Sequence, residues 1–307
     1  MNRQFEAARL RTVHFVPPTA LDERGRLNLG LQQRHVAGLV AAGARVLMPA
    51  AGTGEFHSLL VDEIIDVVRA TREAAGPEAI VFAPVGLQLP AAIDTAVRAV
   101  DAGADGILFM PLGHPYLCDV GAADYYRAVI ERAGCPAIIY KTAPIPSDEL
   151  LLEMVTWDEV VGVKYAVNNL HDFRRTVLAG AGSAEWLCGS AERFAPYFML
   201  AGATGYTSGA GNLCPRLTLA MHAALAAGNH AEAMRLQKVL LPIEEFRGRN
   251  GDSYSISMLK HALREVSGDF GPPRPPQRQL TDGERGEIEQ LIGPVLKAER
   301  QLASKGR

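Results

Sequence analysis

Along the chain, short runs of apolar residues alternate with longer stretches in which Ala, Val, Leu and Ile recur at helical spacing. The short runs are "TVHFV" from Thr12, "ARVLMPA" from Ala44, "IVFAPVG" from Ile80 and "DGILFMP" from Asp105. They continue with "PAIIYK" from Pro136, "VVGVKYA" from Val160, "EWLCGS" from Glu185 and "ATGYTSG" from Ala203. Strands that are apolar on both faces and joined by helices predict a parallel sheet covered by helices. Eight such units in succession predict an α/β chain folded as a (β/α)8 TIM barrel. A doubly wound sheet is the rival, but it would prefer fewer strands and a glycine fingerprint after the first strand, where Pro17 and Pro18 stand. After "GNLCPRL" the pattern turns wholly helical, and "GPPRPPQRQL" leads to a last helix opened by a capping box, Thr281-x-x-Glu284. The pattern therefore predicts a barrel over residues 1–215 and a helical C-terminal extension over 216–307 packed on it.

Composition narrows the setting. The 307 residues are 48% hydrophobic, enough for a large core, and carry a formal net charge of −3. So balanced a charge gives no reason to expect nucleic acid or an acidic membrane as partner. No apolar run is long enough to span a bilayer, and "MNRQFEAARLRTVHF" has no signal-peptide pattern. The four cysteines form no CxxC pair and read as reduced thiols, so a cytoplasmic protein is expected. The eight histidines show no HxH, HExxH or His–Cys clustering, and no metal site is expected.

Candidate chemistry starts from one lysine at the end of a run of valines, Lys164 in "VVGVKYAVNN". Active sites of such barrels lie at the C-terminal ends of the strands, and Lys164 is at such an end. Apolar surroundings lower a lysine's pKa, and a neutral amine can attack a carbonyl to form a Schiff base. Spacing alone leaves open a lysine that merely snorkels from a strand tip to solvent. Tyr140 and Lys141 in "YKTAP" are strand neighbours and so point to opposite sides. If Tyr140 faces inward, its hydroxyl lies one strand from Lys164 and can relay protons; otherwise it is a core tyrosine. "AAGTGEF" places Gly52, Thr53 and Gly54 between a strand and the helix pattern "SLLVDEIIDVV", either a carboxylate cradle or simply a tight turn. Gly189 and Ser190 in "CGSAERF", with Ser208 and Asn212 in "GYTSGAGNLCP", are candidates to bind substrate or are ordinary loop residues.

Taken together and in order, these motifs resemble the dihydrodipicolinate synthase / N-acetylneuraminate lyase family of Schiff-base aldolases and dehydratases. The resemblance covers nearly the whole chain: "GTGE", the strand-five tyrosine, "GVK", "GSAE", "GATGYTSGAGNLCP" and "RPP…LT". It implies that Lys164 forms an imine with a 2-oxo acid and needs no other cofactor. It also implies that Tyr140 shuttles protons and that Thr53 with nearby backbone holds the substrate carboxylate. "GTGEF", "PYL" at Pro115–Leu117 and "FRGRNGDSYSISMLKHALR" resemble the 5-dehydro-4-deoxyglucarate dehydratase branch. The synthase branch usually has a hydroxyl residue where Gly52 stands, a tyrosine pair where Tyr116-Leu117 stands, and an arginine shortly after the strand-five tyrosine. Departures from the dehydratase pattern are Lys141 for an asparagine, Ala51 for a glycine, the inserted "LGH" and "KYAVNN" after the lysine. The expected reaction is dehydration with decarboxylation of 5-dehydro-4-deoxyglucarate to 2,5-dioxopentanoate. The alternatives are aldol cleavage of a 2-oxo-3-deoxy sugar acid to pyruvate and an aldehyde, or a catalytically silent metabolite-binding barrel. A homotetramer or homodimer is implied, with Tyr116 of a neighbouring subunit completing the site.

Overall fold

The structure, a computed structural model, describes residues 5–305. The barrel alternates β1 (Val13–Phe15), α1 (Leu29–Ala41), β2 (Val46–Leu47), α2 (Val61–Ala75), β3 (Ile80–Val85), α3 (Leu89–Asp101), β4 (Gly106–Phe109) and α4 (Asp119–Ala133). It continues through β5 (Ala137–Lys141), α5 (Asp148–Met154), β6 (Val160–Tyr165), α6 (Leu170–Ala179), β7 (Glu185–Cys188), α7 (Ala191–Leu200), β8 (Gly205–Ser208) and α8 (Pro215–Ala226). The strands close into one parallel barrel in chain order, β8 pairing back onto β1. Every residue of β3 and β6 is buried, as strands lined by side chains inside and helices outside require. The expected TIM barrel is the fold observed.

Every strand is shorter than its apolar run, β2 most of all. The run Ala44–Ala50 gives only Val46–Leu47 as strand: Met48 makes the last ladder bond, donating its N–H to the Phe15 carbonyl, and Ala50 then turns left-handed at φ 54°. The run from Ala203 shortens likewise to Gly205–Ser208.

One irregularity aims the site. Ala137 pairs with Val160, but Ile138 pairs with Gly162, so Val161 is an extra residue on β6. A one-residue insertion shifts every later pairing by one and so exchanges the faces. Tyr140 consequently pairs with Lys164, and Lys141 with Tyr165.

Beyond the barrel lie α9 (His230–Arg247), the single turn α10 (Arg249–Asp252), α11 (Ser255–Ala262) and α12 (Asp282–Lys305). The expected boundary at residue 215 thus falls at the start of α8, the helix that follows β8. α12 opens on the expected reciprocal cap: Thr281 N–H donates to Glu284 Oε2 at 2.7 Å, and Glu284 N–H donates to Thr281 Oγ1 at 3.3 Å. The extension also reaches the catalytic end of the barrel. Lys260 on α11 forms a buried ion pair with Glu55, and Arg274 N–H donates to the other oxygen of that carboxylate at 2.8 Å.

Candidate active site

Lys164 is 4% exposed, which rules out a side chain snorkelling to open solvent. Its amine stands 3.7 Å from the centroid of the Tyr140 ring and has no hydrogen bond or ion pair among the described residues. Burial drives its pKa down from 10.5 to about 7, opposed only by the Coulombic interaction with Cys188. Burial of the phenol, with the negative charges of Asp252 and Cys188 adding, raises Tyr140 to about 12. At neutral pH an amine that is about half in its neutral form therefore sits against a phenol that keeps its proton. Gly189 is what gives the lysine room: a Cβ there would lie 2.8 Å from Ala166 and 3.1 Å from Lys164 Cγ.

Lys164 and Tyr140 line a cavity of about 410 Å³ at the C-terminal mouth of the barrel. Of the other candidates from the sequence, Gly52, Thr53, Gly189 and Ser190 line it too. Thr53 Oγ1 donates to the Val16 carbonyl at 2.6 Å, so its hydroxyl pins the loop to the end of β1. The backbone N–H groups of Gly52 and Thr53 donate to no described residue, which leaves two donors for a carboxylate. This loop does not cap a long helix as the sequence suggests: a turn at Phe56–Ser58 intervenes, and α2 begins only at Val61. Ser190 Oγ donates to Asn168 Oδ1 at 2.7 Å, both at the cavity wall.

Four candidates lie elsewhere. Gly54 packs against the backbone of Ala50, where a Cβ would come within 2.6 Å, and its carbonyl accepts from Thr19 Oγ1. Ser208 is fully buried, donating to Glu192 and accepting from Gly211 N–H at 2.7 Å. Asn212 donates to the Val16 and Gly209 carbonyls, both at 2.9 Å, and its Oδ1 meets His35 Nε2 at 3.0 Å. All of its side-chain polar atoms hold the β8 loop. Tyr116 is 87% exposed, over a separate surface cavity shared with His114 and Leu87. Lys141, one residue past Tyr140, faces the helical layer and binds the Pro144 and Pro146 carbonyls and Asp148.

The sequence reading missed the charged end of the cavity, formed by Arg193, Glu244, Arg247 and Asp252. Both arginines sit inside motifs quoted above, "GSAERF" and "FRGRNGDSYSISMLKHALR". Nothing in their spacing from Lys164 signals that α7 and the turn after α9 meet over it. Among the described residues no group of three or more His, Cys, Asp or Glu can hold a metal ion, and no helix is long and apolar enough to cross a membrane. The four cysteines are free thiols.

A closed (β/α)8 barrel with a dry lysine at its C-terminal mouth defines a class that the comparisons resolve further. The dihydrodipicolinate synthetase family model matches residues 10–294, and the chain belongs to that family. It is therefore an enzyme of the class I lyase type. A relative from Cereibacter sphaeroides, named a probable 5-dehydro-4-deoxyglucarate dehydratase, is 33% identical over 93% of this chain and 94% of its own. The crystal structure of dihydrodipicolinate synthase from Oceanobacillus iheyensis superposes with a TM-score of 0.89 at 30% identity, covering 93% of this chain and 96% of that one. The sialic acid aldolase of Ruminococcus gnavus has a TM-score of 0.88 over 96% of this chain and 99% of its own; at 20% identity it shares the fold.

Proposed function

We propose that this enzyme dehydrates and decarboxylates 5-dehydro-4-deoxyglucarate to 2,5-dioxopentanoate through an imine on Lys164. The observation that carries this reading is the buried, unpaired amine 3.7 Å from the Tyr140 ring. In this reading Lys164 condenses with the 2-oxo carbon and releases the carbonyl oxygen as water, with the Tyr140 hydroxyl passing protons to and from that oxygen. The N–H groups of Gly52 and Thr53 hold the adjacent carboxylate. With carbons counted from the carboxylate beside the oxo group, the iminium acidifies C3, whose proton leaves, and the resulting enamine expels the C4 hydroxyl as water. The C3=C4 double bond is then conjugated to the iminium, so the C5–C6 bond can break with its electron pair entering that system and C6 departing as carbon dioxide. Reprotonation leaves an aldehyde at C5, and hydrolysis frees the product and the amine. The net change is loss of one water and one carbon dioxide.

The substrate choice is supported by the name of the full-length relative at 33% identity. It is also supported by Gly52 in the cradle and by the lack of an arginine shortly after Tyr140, both unlike the synthase pattern. The protein works in this reading as a cytoplasmic homo-oligomer, with the exposed Tyr116 free to approach a neighbouring subunit. Borohydride reduction in the presence of pyruvate, followed by peptide mapping, tests the imine: an adduct on Lys164 is expected. Incubation with 5-dehydro-4-deoxyglucarate should then release carbon dioxide. Pyruvate plus an aldehyde as products would assign the aldolase reaction instead, and an unmodified chain would leave a binding barrel.

A further inference from the structure

We infer that Arg193 is the receptor for a second carboxylate at the far end of the substrate, so that the cavity selects 2-oxo dicarboxylates over 2-oxo monoacids. The inference rests on the imine reading above and adds which group reads the distal end. Arg193 lines the cavity, and its guanidinium makes no hydrogen bond to any described residue although it carries five N–H donors. Its nearest carboxylate, Asp252, lies 3.9 Å away and is 71% exposed. So long and solvated a contact binds weakly and is easily exchanged for a ligand carboxylate. Asp252 stands on a turn held in the left-handed region at Asn250 (φ 48°), Gly251 (φ 67°) and Asp252 itself (φ 63°). The neighbouring Arg247 differs: it is buried, paired with Glu244, and donates to Ser255 Oγ at 2.8 Å. Arg247 therefore has its charge balanced within the protein and only its Nε left without a partner, whereas every N–H of the Arg193 guanidinium remains unused.

The backbone is shaped around this guanidinium. A Cβ on Gly248 would collide with Arg193, at a φ of −76° where any residue is tolerated, so glycine there serves space rather than conformation. A planar fork meeting a carboxylate in two parallel, charge-assisted hydrogen bonds is roughly twice as strong per bond as a neutral pair and fixes the carboxylate's orientation. A substrate ending in a hydroxymethyl group would leave those donors unanswered.

The test compares 2-oxohexanedioate with 2-oxohexanoate, equal in length and differing only at the distal end. For each, the concentration giving half-maximal borohydride trapping on Lys164 is read. The wild-type enzyme should need roughly tenfold or more less of the diacid. Arg193→Gln should bring the two concentrations together, and so should Gly248→Ala, which displaces the guanidinium without removing its charge. If pyruvate is trapped on wild-type Lys164 but the two acids are trapped alike, this inference falls and the imine reading stands. A diacid preference that survives both substitutions overturns it too, since another group would then be reading the distal end. No trapping of pyruvate at all overturns the imine reading and this inference with it.

Discussion

The amine of Lys164 lies over the ring of Tyr140, 3.7 Å from its centroid, because the two residues are register partners across β5 and β6. Two effects oppose each other there. The ring face attracts the charged amine by about 1–2 kcal/mol, while burial disfavours it. A pKa brought from 10.5 to about 7 corresponds to a few kcal/mol, at roughly 1.4 per unit, so desolvation wins. The trapping rate with pyruvate should accordingly rise with pH to a plateau, with its midpoint near 7; a midpoint near 10 would mean an ordinary, solvated lysine. Stability carries the same signature. Between about pH 7 and 10.5 the unfolded chain holds a proton on this amine that the folded chain has released, so wild-type stability rises with pH across that window. Lys164→Met should therefore be the more stable protein below pH 7, by a few kcal/mol, with the gap closing towards pH 10.5 in urea titrations.

Tyr140→Phe separates the ring from the hydroxyl. The ring keeps its contact with Lys164, while the proton donor, held neutral by a pKa near 12, is lost. Turnover should fall roughly 10²- to 10⁴-fold, the usual worth of a positioned acid or base. The Lys164 adduct should still form on prolonged trapping. Turnover within tenfold of wild type would assign the proton relay to another group.

Lys141 is another buried lysine at this end of the barrel, 4% exposed, and its chemistry is structural. Its amine donates to the Pro144 carbonyl at 3.1 Å and to that of Pro146, with Asp148 at 3.4 Å; Asp148 in turn accepts from the Tyr165 hydroxyl at 3.1 Å. Lys141→Met should lose about 2–4 kcal/mol of stability in urea, because it removes the cation that answers two carbonyls and a mostly covered carboxylate. Below its melting point this variant should still be trapped once per chain on Lys164. Loss of the adduct from Lys141→Met, with the fold intact, would place Lys141 in the chemistry.

Much of this arrangement was legible in the sequence. Eight apolar runs separated by helical spacing gave the barrel, and a lysine closing a run of valines raised a desolvated amine as one of two readings. Which neighbour of Lys164 would share its face was not legible. The pairing depends on the extra residue at Val161, and a bulge in a run of valines leaves no compositional trace. Ser208 and Asn212 misled for the opposite reason: short polar side chains in a loop serve equally to bind substrate or to tie backbone, and here they tie it. Arg193 stayed hidden because its significance lies in a meeting with the Gly248 turn, more than fifty residues along the chain.

Glu55 links the carboxylate cradle to the C-terminal extension, and cutting that link should weaken both fold and binding. It follows Gly54 in the left-handed region at φ 67°, and its buried carboxylate meets Lys260 on α11 and the Arg274 N–H at 2.8 Å. Arg274 continues the tie, reaching Glu63 on α2 at 2.6 Å and the Gly25 carbonyl at 2.7 Å. Burial lowers the pKa of Lys260 and Glu55 raises it, so each charge is tolerated only because the other is present. Lys260→Met strands the carboxylate and should cost about 3–5 kcal/mol, seen as a lower urea midpoint at unchanged slope. Adding Glu55→Gln to it removes the stranded charge and keeps an acceptor for Arg274, so the double variant should recover part of that loss. Because the loop carrying Gly52 and Thr53 is then less firmly held, half-saturation of trapping by pyruvate should still require several-fold more ligand than in wild type. A double variant no more stable than Lys260→Met alone would show that the pair is not what holds the loop.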